Sequence, residues 1–200
     1  MITPYFAVPY GEERLDINNK KIIDYAYSLR EKHGWSDQGY QTPWLELDTP
    51  EIQEILQAVN KHLDYLRREV YKFNEGAEFF VQNCWANITD PDHTERFAHN
   101  NFHSHSGYFI SLVYYLKAQE DNGDLTLVNP NQLAEFVVGA IPDKMITEFN
   151  LFNSNRLNIV PFTGMLVSFP AYVQHYAHSN KGKDTRISMA FNAQVRPKKI

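Results

Sequence analysis

Residues 103–124 read HSHSGYFISLVYYLKAQEDNGD. The run from Tyr108 to Ala118 is rich in β-branched and aromatic residues and is bounded by Ser-Gly on one side and Asp-Asn-Gly-Asp on the other, which marks it as a strand between turns. The pattern repeats outward in both directions: EFFVQNCWANI at 78–88, DLTLVNP at 124–130, EFVVGAI at 135–141, RLNIVPF at 156–162, GMLVSFP at 164–170 and DTRISMAFNAQV at 184–195. Asn-Pro-Asn at 129–131, Pro-Asp-Lys at 142–144 and Lys-Gly-Lys-Asp at 181–184 supply further turns. Short strands so punctuated, with no regular alternation of strand and helix, predict an antiparallel sandwich or jelly roll rather than a doubly wound sheet. The expected class is mainly β (α+β).

The first third reads differently. Ile52, Ile55, Leu56, Val59, Leu63, Leu66 and Val70 recur at spacings of three and four and form one apolar helical stripe, with Thr49 as N-cap and Pro50 as first helical residue. Lys20 to Lys32 predicts a shorter helix closed near His33-Gly34. Arg67-Arg68-Glu69 reads as the solvated face of the longer one. Neither repeat nor linker interrupts the chain, so residues 1–200 are expected to form a single domain: 1–76 as helical support on one face of the sandwich, 77–200 as its β core.

Two hundred residues match a prior of one domain at about 150 residues each, and can bury roughly 70% of the unfolded surface. A hydrophobic content of 43% excludes disorder, and a net charge of −5 leaves no field for wrapping a nucleic acid. A single cysteine, Cys84, precludes an internal disulfide and reads as a buried thiol. With no signal-peptide pattern and no apolar run near the ~20 residues of a membrane span, a cytoplasmic location without membrane association is expected.

Six of the eight histidines lie in the strand-rich part: His93, His99, His103, His105, His175 and His178. If the segment entering YFISLVYYL is extended, His103 and His105 project from one face and can share a metal. A third imidazole is offered by His175 or His178, just past the GMLVSFP strand, and three protein ligands with open positions is the form that metal catalysis requires. A helical pair, His99 with His103, fails because Asn100-Asn101-Phe102 is a poor helix former. Arg186 follows His175 by eleven places and shares a strand face with Ser188, a guanidinium and a hydroxyl suited to gripping a carboxylate. The competing reading of Arg186 is a surface arginine beside Asp184. Among the aromatics Trp85, Phe102, Tyr108, Phe109, Tyr114, Phe169 and Phe191, sandwich core is favoured over pocket, and Asn87 and Asn192 are candidates for polar groups inside the barrel.

Taken in order, Trp85-Ala-Asn87, His103-Ser-His105, the Tyr114-Tyr115-Leu116 strand, GMLVSFP, His175 and Arg186-Ile-Ser188-Met-Ala-Phe-Asn192 resemble the 2-oxoglutarate- and iron(II)-dependent dioxygenases, in particular an uncharacterised prolyl-hydroxylase-like branch of bacteria and phages. The resemblance covers about Trp85 to Gln194. It implies a double-stranded β-helix core, Fe(II) as metal and 2-oxoglutarate as co-substrate. By the same resemblance His103 and His175 are metal ligands, and Arg186, Ser188 and Tyr115 bind the far carboxylate of 2-oxoglutarate. Position 105 departs from the wider family, which has a carboxylate there; the narrower branch has His-x-His, so His105 stands as third ligand, with Asp92, Glu95 and Asp121 as the carboxylates that would replace it. His178 leaves only eight places to Arg186, shorter than the family's interval. His99 is a candidate for orienting a ligand through its second ring nitrogen.

The implied activity is a hydroxylase coupling decarboxylation of 2-oxoglutarate to oxidation of a small-molecule or protein side-chain substrate, in the cytoplasm or, for a phage-encoded chain, the host cytoplasm. Nucleic acid and membrane are not expected partners, and a homodimer is left open. The alternatives are a cupin-like metalloenzyme independent of 2-oxoglutarate and a non-catalytic jelly-roll binding module.

Overall fold

The structure, a computed structural model, describes residues 7–33, 39–91, 100–131, 140–150 and 152–198. Asp92, His93, Glu95, His99, Gly34 and most of the expected 135–141 strand lie outside the described residues.

Among the described residues, ten strands form two sheets. The larger has the order β1 (Gly11–Arg14), β8 (Met165–Pro170), β5 (Ile110–Lys117), β10 (Arg186–Pro197), β3 (Ala77–Thr89) and β2 (Tyr40–Gln41). The smaller runs β4 (Asn100–His103), β9 (His175–Ala177), β6 (Leu125–Val128) and β7 (Arg156–Ile159). Every pairing is antiparallel, and sequence-distant strands lie side by side, which is jelly-roll connectivity.

The strand period of two divides the large sheet into an apolar face and a mixed one. Ile187, Met189 and Phe191 of β10, Cys84, Ala86 and Ile88 of β3, and Leu112, Tyr114 and Leu116 of β5 join one core with the helices. Opposite them, the other face carries Arg186, Ser188, Ala190 and Asn192 of β10 beside Trp85 and Asn87 of β3 and Ser111, Val113 and Tyr115 of β5, all lining a cavity. The register shift between Asn192 and Ala193 accommodates an extra residue, Gln82, in β3, so Val81 and Phe79 still reach the apolar core.

Helix α1 (Lys20–His33) buries Ile22 and Ala26, and α2 (Gln53–Tyr65) buries Ile55, Leu56, Val59 and Leu63 against the apolar face. Each of these Ile, Leu and Val side chains contributes roughly 1.5–3 kcal/mol by leaving water. The expected single helix from Pro50 to Val70 is instead three segments: a 3-10 turn at Pro50–Ile52, α2, and a π turn at Leu66–Val70. Thr49 makes no side-chain cap, so Pro50 starts the turn without one. Arg67 corrects the solvated-face expectation. It is buried, donating to Asp64 Oδ1 and to the carbonyls of Phe73 and Asn74, which tie down the chain leaving the helix. No described helix is long and apolar enough to cross a membrane.

Candidate active site

The cavity, of about 550 Å³, opens between the two sheets. Three imidazoles meet on its smaller-sheet side. His103 closes β4 and pairs directly with His175, the first residue of β9. His105 is held in place by its backbone N–H, which donates to Ala171 O at 2.9 Å. The condition that the segment entering YFISLVYYL is extended is not met: His103 ends a strand of the small sheet, and residues 104–109 turn across to β5 in the large one. The two rings nevertheless converge, with centroids 5.0 Å apart, and His175 lies 4.3 Å from His103 and 5.1 Å from His105.

One ligand atom from each of the three histidines lies within 4.8 Å of the others, and the Nε2 atoms of His105 and His175 are 3.3 Å apart. Three ring nitrogens so close are a donor set that suits a divalent transition metal. His175 Nδ1 contacts Val173 O at 3.0 Å; with the proton on Nδ1 as donor, the Nε2 lone pair turns toward the other rings. Burial lowers the His175 pKa to about 3, and burial followed by the nearby His103 lowers that of His105 to about 4, so both are neutral and ready to ligate at pH 7. Phe169 packs 4.8 Å from His175 and Trp85 5.8 Å from His105, giving the rings an apolar surround.

His178 does not join this group. Exposed, it meets Thr126 Oγ1 through Nε2 at 2.9 Å. Asp121 is also exposed, in the turn after β5, and no carboxylate joins the three histidines among the described residues.

At the other end of the cavity, Arg186 is 5% exposed, not a surface residue. Asp184, its alternative partner, pairs with Lys117 at 3.2 Å instead. Arg186 Nη1 donates to the carbonyls of Asn122 and Gly123 at 2.8 Å each and of His178 at 3.1 Å, and among the described residues the guanidinium has no carboxylate partner. Burial pushes its pKa down and Tyr115 beside it pushes it up. A buried cation balanced only by carbonyl dipoles calls for an anion. Ser188 and Tyr115 face each other across the β10–β5 pair and line the cavity with it. Burial raises the Tyr115 pKa to about 12, so its hydroxyl stays protonated and can donate.

Asn192, two pairs beyond Ser188 on the same strand face, is 3% exposed; its Oδ1 accepts from Ser111 Oγ at 3.2 Å, while its Nδ2 makes no hydrogen bond among the described residues. Tyr40 Oη and Asn83 Oδ1 are also buried and have no hydrogen-bond partner among the described residues. Tyr40 came from β2, a two-residue strand with no signal in the sequence, although its neighbour Gln41 and it both line the cavity. Of the weighed aromatics, Tyr114 and Phe191 are core, Phe109 packs with Tyr71, Phe73 and Phe79, Trp85 and Phe169 reach the cavity, and Phe102 is exposed. Tyr108 serves neither role, accepting instead from Asn83 Nδ2 at 2.6 Å. Cys84 is buried, and burial raises its thiol to about 12.

The sequence matches the 2OG-Fe(II) oxygenase family over residues 83–192, a span containing all three histidines and Arg186. The chain belongs to that family. Fe(II) and the co-substrate 2-oxoglutarate are therefore its cofactors, and the triad of ring nitrogens with a buried arginine that has no carboxylate partner among the described residues suits them.

Solved structures of such oxygenases share the fold. A prolyl-4-hydroxylase of Pseudomonas putida superposes with a TM-score of 0.57 at 13% identity, over 92% of each chain. The epimerase SnoN of nogalamycin biosynthesis, in complex with Fe3+ and alpha ketoglutarate, gives 0.59 at 12% identity, over 95% of this chain and 81% of SnoN. The viral collagen prolyl hydroxylase of Paramecium Bursaria Chlorella virus-1 gives 0.54 at 14%, over 92% and 94%. No curated protein matches the sequence.

Proposed function

We propose that this oxygenase is a hydroxylase in which His103, His105 and His175 hold the iron and Arg186, Ser188 and Tyr115 bind the far carboxylate of 2-oxoglutarate. The observation that carries the reading is the pairing, within one cavity, of three converging ring nitrogens with a buried guanidinium that has no counter-anion among the described residues. Bound iron and co-substrate supply oxygen activation coupled to decarboxylation of 2-oxoglutarate to succinate.

The chain's own residues do the rest. The Val173 carbonyl selects the His175 tautomer that presents Nε2. Arg186 contributes the charge and the free edge of its fork, Ser188 and Tyr115 neutral donors, and together they fix the orientation of the co-substrate. Phe169 and Trp85 keep water from the ligand rings. The unspent Nδ2 of Asn192 is a donor for an oxygen of the substrate, a small molecule or a protein side chain. With this reading goes a division of one domain into residues 1–76 as support and 77–200 as catalytic core.

The test is anaerobic addition of Fe(II) and 2-oxoglutarate, followed by oxygen. One equivalent of iron, a metal-to-ligand charge-transfer band that needs both additions, and succinate formed from 2-oxoglutarate are expected. Metal-dependent turnover indifferent to 2-oxoglutarate would instead support a cupin-like enzyme.

A further inference from the structure

The guanidinium of Arg186 is aimed by parts of the molecule that do not line the cavity. Its Nη1 is caught by three backbone carbonyls from two irregular connections: Asn122 and Gly123 in the link from β5 to β6, and His178 in the link from β9 to β10. Carbonyls in loops make a precise cradle only if the loops are themselves fixed.

Two asparagines, each 1% exposed, fix them. Asn122 Nδ2 donates to Asn180 Oδ1 at 3.0 Å and to Asp184 O at 3.1 Å, while its Oδ1 accepts from the Gln119 backbone at 2.7 Å. Asn180 Nδ2 donates to Thr89 O and Asp184 O, both at 2.9 Å, and its Oδ1 also accepts from Gly182 N at 3.0 Å. Every polar atom of both side chains is therefore used. The network joins the two loops to each other, to the end of β3 and to the backbone two residues before Arg186.

The loops are also in close steric contact. Gly123 has φ +92°, and a Cβ there would lie 2.4 and 2.5 Å from the carbonyl oxygens of His178 and Ser179. A Cβ on Gly182 would lie 2.4 Å from Asn122 Nδ2. Backbone bonds from His178 N to Asp124 O and from Lys181 N to Asp121 O complete the join.

We propose that Asn122 and Asn180 are positioning residues for 2-oxoglutarate: they lock the carbonyl cradle on Nη1, so that the remaining edge of Arg186 sits at one fixed distance from the histidine triad and selects the five-carbon 2-oxo diacid over longer ones. The inference rests on the reading of Arg186 as the carboxylate clamp. A rigidly held fork penalises a ligand whose two ends are spaced differently, whereas a loosened fork follows it.

The experiment compares the full-length parent with Asn180→Ala, Asn180→Ser and Arg186→Ala by anaerobic titration, measuring affinities for Fe(II), for 2-oxoglutarate and for the six-carbon 2-oxoadipate. Asn180→Ala is expected to lose at least tenfold in 2-oxoglutarate affinity with Fe(II) affinity unchanged, and to shrink the preference for 2-oxoglutarate over 2-oxoadipate. Asn180→Ser, which retains a hydroxyl, should recover part of both. A folded Asn180→Ala with the parent's affinity and preference, beside an Arg186→Ala that loses 2-oxoglutarate, overturns the inference and leaves the clamp standing. Parent-like binding by Arg186→Ala removes the clamp reading and this inference with it. An equal loss of Fe(II) and of both oxo acids, with the preference unchanged, makes the asparagines structural only and also overturns it. Should Asn180→Ala fail to fold, hydrogen exchange in the parent decides. The amides of Gln119 and Gly182 must be protected before 2-oxoglutarate is added, and rapid exchange that slows only with the ligand refutes a preformed cradle.

Discussion

Replacing Arg186 by alanine should separate co-substrate binding from metal binding. Arg186 is the only cation lining the cavity among the described residues, so an incoming carboxylate has no second positive charge to turn to. Ser188 and Tyr115 remain as neutral donors, Tyr115 with its proton in place because its pKa lies near 12. Leaving a desolvated carboxylate without its charged partner costs about 2–5 kcal/mol. At 1.4 kcal/mol per factor of ten, the dissociation constant for 2-oxoglutarate should rise roughly thirtyfold to a few thousandfold. Iron should stay bound, since no hydrogen bond connects Arg186 to a histidine ring among the described residues. Arg186→Lys keeps the charge but offers one ammonium where Nη1 serves three carbonyls and the rest of the fork faces the ligand, so it should fall between the two. The assay is anaerobic titration of the iron-loaded protein, following the charge-transfer band, with a thermal melt showing that each variant is folded. If folded Arg186→Ala binds 2-oxoglutarate as the parent does, the carboxylate is held elsewhere and the reasoning from the unpaired guanidinium is wrong.

His103→Ala, His105→Ala and His175→Ala should each remove most of the bound iron, measured by elemental analysis after desalting; full iron in His105→Ala with loss in Asp92→Ala or Glu95→Ala would return the site to a carboxylate. Chelator should strip the metal while leaving a cooperative melt, because the core of helices and large sheet does not include the histidines; collapse of the transition would make the metal structural. Because burial holds His105 and His175 below the ordinary histidine value of 6.5, the unfolded chain takes up protons first on acidification. Their contribution to metal-free stability is complete above pH 6.5 and should be lost as pH falls from there toward about 4 for His105 and about 3 for His175, as denaturant midpoints across that range would register. Cys84 should resist thiol reagents in the native protein and react on unfolding, and rapid native labelling would contradict its burial.

Much of the β architecture was legible because strands in a sandwich carry local marks. The runs at 78–88, 108–118, 124–130, 156–162, 164–170 and 184–195 all contain observed strands, since apolar β-branched stretches between Gly, Asn and Pro turns have few other uses. Strands β1, β2, β4 and β9 were not legible. Gly11–Arg14 and Tyr40–Gln41 are strands only because the large sheet offers them an edge, and no four- or two-residue segment shows a period by itself.

The same division holds for the site. The residue pattern marks His103, His105, His175, Arg186 and Ser188 as chemically capable and, through alternation along β10, puts Arg186 and Ser188 on one face, while Tyr115 enters only through the family resemblance. The interval to Arg186 favours His175 over His178 through the family resemblance, and the tertiary structure places the two rings apart, one turned to the cavity and the other to Thr126. Only the tertiary structure decided that Arg186 is buried in a cradle of carbonyls from residues 122, 123 and 178, with no carboxylate partner among the described residues. Backbone carbonyls carry no side-chain signature, and the loops that present them converge through asparagine bonds spanning 58 positions in Asn122–Asn180 and 91 in Asn180–Thr89. Local periodicity determines which face of an element a residue occupies; which distant residue it meets there depends on how the sheets pair and how the links between them close.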